Sequence, residues 1–129
     1  MDIRRDLVYA NPNAPTKGSA AMFPYCKLEI FIPETHLEPL HQALRSVDAG
    51  HIGHYDSCLS YSPVTSRWRP LAGTNPYLGA QGKLSQEPEL KVEVTCRTEL
   101  VDQTVKAVKA VHPYEEPVIN VIPLYRTSF

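Results

Sequence analysis

Between Lys27 and Ile32 the chain alternates polar and apolar residues and then turns wholly apolar (Lys-Leu-Glu-Ile-Phe-Ile). That pattern predicts a strand with one well-buried face, stopped by Pro33. A helix is expected next. Thr35-His36-Leu37-Glu38 fits a capping box with Thr35 as N-cap, and Leu37, Leu40, Leu44 and Val47 then recur at helical spacing. Pro39 falls in the first turn, where few backbone bonds are lost. Gly50 suits a left-handed cap. The Tyr- and Ser-rich stretch from His54 to Ser62, a turn at Pro63, and Arg67-Trp68-Arg69 together predict a hairpin. Residues 70–88 hold Gly73, Gly79 and Gly82 with three prolines, and read as a long functional or interacting loop. Leu90-Lys91-Val92-Glu93-Val94 alternates strictly, the clearest strand of the chain. Val101, Val105 and Val108 mark a second helix from near Glu99, ended by Pro113; Val118–Ile122 is a last strand closed by Pro123.

The two strand–helix units echo each other, with Leu28, Ile30 and Ile32 standing 62 positions before Leu90, Val92 and Val94. Two such halves sharing one sheet predict an α+β, ferredoxin-like βαββαβ sandwich over residues 26–129, with an extra hairpin and a long loop. The helices cover one face of the sheet. The other face, judged rich in Tyr and Val, calls for a covering subunit, so a homo-oligomer is expected. Residues 1–25, with Pro12, Pro15, Pro24 and several small residues, read as a tail without helix or strand.

Composition narrows the class. The chain has 129 residues, enough for one domain and too few for two. It carries 12 prolines where average usage gives about 6. Yet 43% of its residues are hydrophobic and 7 are Tyr, which argues against disorder and makes the prolines punctuation. No run approaches the ~20 apolar residues of a membrane span, and the acidic start lacks an apolar signal region. A net charge of −1 with scattered cations lacks the footprint of a nucleic-acid binder. Cys26, Cys58 and Cys96 form no CxxC, and read as free thiols in a reducing, cytoplasmic setting.

Three constellations carry candidate chemistry. In Gly50-His51-Ile52-Gly53-His54-Tyr55, His51 and His54 have a spacing compatible with transition-metal ligation, with Asp56 or Cys58 completing the set. The same segment also suits a glycine-rich turn whose imidazoles only make hydrogen bonds. In His112-Pro113-Tyr114-Glu115-Glu116-Pro117, His112 sits at a helix C-terminus, which favours its protonated form. The adjacent carboxylates suit acid/base work or a metal. Glu115 and Glu116, being consecutive, should point apart, and a rigid helix-to-strand junction explains the segment equally well. In the long loop, Gly82-Lys83 fails as a phosphate loop because Tyr77 and Leu84 stand where Gly and Ser/Thr belong. Backbone amides of this loop remain available for an anion beside Arg67 and Arg69, or the loop packs on a neighbouring subunit. Cys58 near His54 makes no defensible nucleophile pair.

Ala49-Gly50-His51-Ile52-Gly53-x-Tyr55-x-x-Cys58, then Arg69-Pro70-Leu71-x-Gly73-x-Asn75-Pro76-Tyr77-x-Gly79, then His112-Pro113-Tyr114-Glu115-Glu116, resemble the inserted domain of the YqfO family. That family is also called Ngg-interacting-factor-three-like, or GTP cyclohydrolase I type 2. The likeness runs from about Cys26 to Leu124. It implies a PII- and CutA-like ferredoxin fold that forms trimers, in a free-standing version with an added N-terminal tail. His-Pro-Tyr-Glu before a proline-containing strand is also similar to the end of CutA, the divalent-cation tolerance protein. Full-length YqfO proteins hold a dinuclear metal site in flanking regions with a paired-His motif. This sequence has no His-His pair, so that site is not carried over. His54 and Trp68 replace Asn-like and Phe-like residues of the pattern.

The expected function is therefore a non-enzymatic, oligomeric PII/CutA-like module. It binds a small ligand, a metal ion or a protein partner at subunit clefts, through His51, His54, Tyr55, Arg67, Arg69, Asn75, His112, Tyr114 and Glu115. A divalent transition metal, if bound, would fall to His51, His54 and His112. No nucleic-acid or membrane partner is expected. The rival is a metal-dependent hydrolase or cyclohydrolase acting on a nucleotide or phosphoester through His51, His54, His112 and Glu115. A third reading is a purely structural partner subunit that docks through its tail.

Overall fold

A computed structural model describes residues 22–129, so most of the segment read as a tail lies outside the described residues. Strand β1 spans Tyr25–Ile32, followed by a 3₁₀ turn at Glu34–His36 and helix α1 at Leu37–Ser46. Strand β2 (Ser60–Trp68) and the long strand β3 (Ser85–Arg97) follow. A second 3₁₀ turn at Thr98–Leu100 leads into helix α2 (Val101–Val111), and β4 (Ile119–Pro123) closes the order. The four strands form one antiparallel sheet in the order β2-β3-β1-β4. This is the ferredoxin-like arrangement that the two echoing halves predict. The echo has a structural meaning: Leu28, Ile30 and Ile32 pair directly with Val94, Val92 and Leu90 across the two central strands.

Burial alternates strictly along β1, as a strand with one covered face requires. Leu28, Ile30, Ile32, Leu90, Val92 and Val94 pack against Leu40 and Leu44 of α1 and Val108 of α2. Thr104 is fully buried with them, its hydroxyl donating to the Leu100 carbonyl one turn back at 2.7 Å. Cys26 and Cys96 face each other across β1 and β3 as buried free thiols, and Cys58 is half-buried.

Three local expectations change. The segment read as a hairpin around Pro63 is one continuous strand: Pro63 lies inside β2, opposite Leu90. The strand tolerates it because β2 is a sheet edge, where a missing N–H leaves no ladder gap. The true partner of β2 is the first half of β3, and residues 69–84 are the loop between them. The capping box does not form either. No side chain caps α1, and Thr35 Oγ1 bonds the His36 ring instead. At the other end, Asp48 rather than Gly50 takes the left-handed position (φ 59°), and its N–H reaches Arg45 O at 3.1 Å. The next N–H, of Ala49, returns to Leu44 O at 3.0 Å, so the helix closes in a Schellman motif. Gly50 has a different task. Its N–H bonds Thr95 O at 2.8 Å and its carbonyl accepts from Cys58 N–H at 2.9 Å. A Cβ there would run into the Cys58 carbonyl.

The uncovered sheet face also departs from expectation. Register puts Tyr61 opposite Val92, so it belongs to the helix-side face with Val92 and Val94. The centre of the open face is instead a charged ladder. Lys27 Nζ meets Glu93 at 2.9 Å and Lys91 Nζ meets Glu29 at 3.2 Å. Glu29 and Glu93 stand directly opposite one another, and the two lysines on the diagonals offset that like-charge pair. The hydrogen bond between them raises the Lys27 pKa and lowers that of Glu93. Exposed apolar residues lie elsewhere, among them Val118 just before β4, Val121 and Ile122 on it, and Tyr125 and Phe129 after it.

Candidate functional site

The C-terminal end of β2, the loop 69–84 and the segment after α2 surround one cleft of about 500 Å³. Trp68 closes β2 on the open face, opposite Ser85. The loop holds itself together: Gly82 N–H bonds Pro70 O at 2.7 Å and the Gln81 amide bonds Thr74 O at 2.7 Å. It is fixed to the far wall by the Asn75 N–H, which donates to the Glu115 carboxylate at 3.1 Å. One of the loop amides that could serve an anion is therefore already taken by an internal carboxylate. Arg67, on the opposite side of β2 from Trp68, spends its Nε–H on Gln86 at 2.7 Å.

His112 holds the back of the cleft. It is 8% exposed, and its Nε2–H donates to Phe31 O at 2.7 Å while Nδ1 accepts the Tyr114 N–H at 3.1 Å. Both ring nitrogens are used by a neutral imidazole in one tautomer. Burial lowers its pKa, outweighing the hydrogen bond to Phe31. The expectation of a protonated His112 is thus overturned: the imidazole caps a strand end in a desolvated site instead of meeting solvent at a helix end. The bond matters because β4 begins only at Ile119; the Phe31 N–H is taken by Val118 O at 3.2 Å and its carbonyl by His112.

Fixing the Tyr114 backbone turns its ring into the cleft. Ring centroids lie 5.7 Å apart for Trp68 and Tyr114, tilted by 49°, and 6.1 Å apart for Tyr77 and Tyr114, tilted by 50°. His36 supports Tyr77 edge-on at 6.0 Å. The Tyr114 phenol oxygen is buried and makes no hydrogen bond among the described residues. Burial first, and then the neighbouring Glu89 carboxylate, push its pKa up. Glu89, on the open face of β3, is only 3% exposed and lines the same cleft.

Of the residues singled out in the sequence, Arg67, Arg69, Tyr114 and Glu115 line this cleft, with Asn75 and His112 tied to it. His51, His54 and Tyr55 do not line it. They sit in the tight turn closed by Ile52 and Tyr55, whose backbones bond at 2.8 and 2.9 Å. His51 Nδ1 faces the Asp48 carboxylate at 3.0 Å and Nε2 donates to Gly53 O at 3.0 Å. The Asp48 contact raises its pKa. Sequence reasoning missed Glu89, Phe31 and the role of Trp68 and Tyr77 as walls. Glu89 gave no signal, because Pro88 beside it reads as loop.

The open antiparallel βαββαβ arrangement is that of a CutA-like α+β fold. Residues 74–128 match the family model described as CutA1 divalent ion tolerance protein. The chain is 41% identical over 98 residues to a protein of Halalkalibacterium halodurans named GTP cyclohydrolase 1 type 2 homolog, covering 76% of this chain and 26% of that one. A Bacillus cereus protein related to NIF3 superposes with a TM-score of 0.70 at 32% identity, over 88% of this chain and 28% of that one. The Archaeoglobus fulgidus periplasmic divalent cation tolerance protein CutA superposes with a TM-score of 0.60 at 23% identity, over 80% of this chain and 86% of that one. The likeness to the CutA-like portion of YqfO, NIF3-related proteins thus holds in both sequence and fold. The chain spans about a quarter of the length of the curated relative it matches.

A divalent ion implied by such names needs free donors. The three histidines suggested for it do not fit: both nitrogens of His51 and of His112 are engaged, and His54 lies in the turn with His51. Among the described residues, no group of three or more His, Cys, Asp or Glu side chains is placed to hold a metal ion. No helix among them is long and apolar enough to cross a membrane.

Proposed function

We propose that this chain is an oligomeric CutA-like binding module that holds a small ligand in the cleft between the β2–β3 loop and the His112–Glu116 junction. The observation that carries the reading is convergence: two of the three segments singled out in the sequence, far apart in the chain, wall a single cleft with a buried carboxylate inside. Assembly, as a trimer, rests on the exposed apolar strip of β4 and the C-terminus, since an apolar edge strand invites pairing. Size-exclusion chromatography with light scattering tests this part, and the expected particle is three times the 14.5 kDa chain mass. A stable monomer would sink it. Ligand binding is tested by screening small-molecule fragments on the purified protein by NMR, with shifts expected around Trp68 and Tyr114. The rival hydrolase gains no support from His51 and His112, whose imidazoles already serve as hydrogen-bonding struts.

A further inference from the structure

The cleft combines features that select a particular ligand chemistry. Its floor is the Glu89 carboxylate, 3% exposed, with the Tyr114 phenol beside it and no ion pair among the described residues. A carboxylate removed from water with only a neutral phenol beside it is costly, and a cation is the partner that offsets most of that cost. Against it stands the buried oxygen of Tyr114, whose lone pairs suit an N–H donor. Around them are the rings of Trp68, Tyr77 and Tyr114, successive pairs tilted by 49° and 50°. Rings so inclined do not form the parallel slot that a flat heterocycle needs. Their faces attract a cation within about 6 Å. Glu115 and Glu116 add negative charge at the mouth. Arg69 is the opposing charge there, since Arg67 leans away to Gln86.

Resting on the reading of the cleft as a ligand site, we propose that its ligand is an organic cation of the alkylammonium class. The ammonium lies over Trp68, Tyr77 and Tyr114 and donates to Glu89 and to the Tyr114 oxygen. Trp68 is the chain's one tryptophan, so its fluorescence reports on this cleft alone. The test titrates the full chain with three probes of similar length: n-butylammonium, neutral n-butanol and anionic butyrate. Saturable change with n-butylammonium is expected, at least about tenfold tighter than with n-butanol, a factor equivalent to about 1.4 kcal/mol. Glu89→Gln should erase the difference between the cation and the alcohol. If that variant does not fold by circular dichroism, the charge series on the unmodified chain decides alone. Equal or tighter binding of n-butanol or butyrate overturns the cation assignment and leaves the cleft reading standing. No response to any of the three overturns both.

Discussion

Replacing His112 by Ala removes a side chain that ties the end of helix α2, strand β1 and the cleft wall together. Two partly buried backbone groups lose their partner, the Phe31 carbonyl and the Tyr114 N–H. Each orphaned group costs about 1–3 kcal/mol, so a loss of about 2–4 kcal/mol is expected, allowing for partial hydration through the new void. For a domain of this size that lowers Tm by roughly 8–15 °C. The pH dependence carries the sharper signature. His112 is held neutral by burial, its folded pKa below the ordinary value of 6.5. The unfolded chain therefore takes up its proton first as pH falls. The stability that His112 contributes is complete above the ordinary value and drains away as pH drops from there toward the depressed one. His51 shifts the opposite way, so the informative quantity is the difference between parent and variant at each pH. Urea unfolding followed by circular dichroism, at steps between pH 7.5 and 5, supplies it. A variant within ~0.5 kcal/mol of the parent, or a difference that does not shrink on acidification, would refute the reasoning.

Three further outcomes follow from other sites. Gly50→Ala, at φ 81° and against the Cys58 carbonyl, should cost at least about 2 kcal/mol by thermal or chemical unfolding, whereas Gly73→Ala meets nothing and carries only its positive-φ strain of about 1 kcal/mol. Native thiol titration should modify Cys58 first; Cys26 and Cys96 should react only on unfolding, because burial raises both pKa values, that of Cys96 to about 12. In an NMR titration the His51 ring should titrate above the ordinary histidine value, and Asp48→Asn should bring it back down.

The sheet and its core were legible in the sequence because β1 and the second half of β3 carry the period-two pattern of one buried face. Helices α1 and α2 were legible in their leucine and valine spacing. The continuous β2 was not. Pro63 reads as a turn locally, and only the edge position of that strand, a property of the whole sheet, makes it acceptable. The same limit hid half of β3: Pro88 and the polar run before it look like loop until the pairing with Ser66 and Trp68 is seen. At the site, Arg69, Tyr114 and Glu115 stood in segments conspicuous for their turn residues. Glu89 did not, because a carboxylate is singled out by its burial, and burial there depends on a loop that folds back from the other strand. His51 and His112 were conspicuous as histidines, yet their partners turn both into struts.

The cleft either binds a cation or it does not. The most direct measurement is a ¹⁵N-labelled NMR titration of the full chain with n-butylammonium. Saturable shifts confined to the Trp68 indole, the amides from Thr74 to Leu78 and those from Tyr114 to Glu116 are predicted. Shifts centred on the His51–Tyr55 turn, or none at any of these positions, would contradict it.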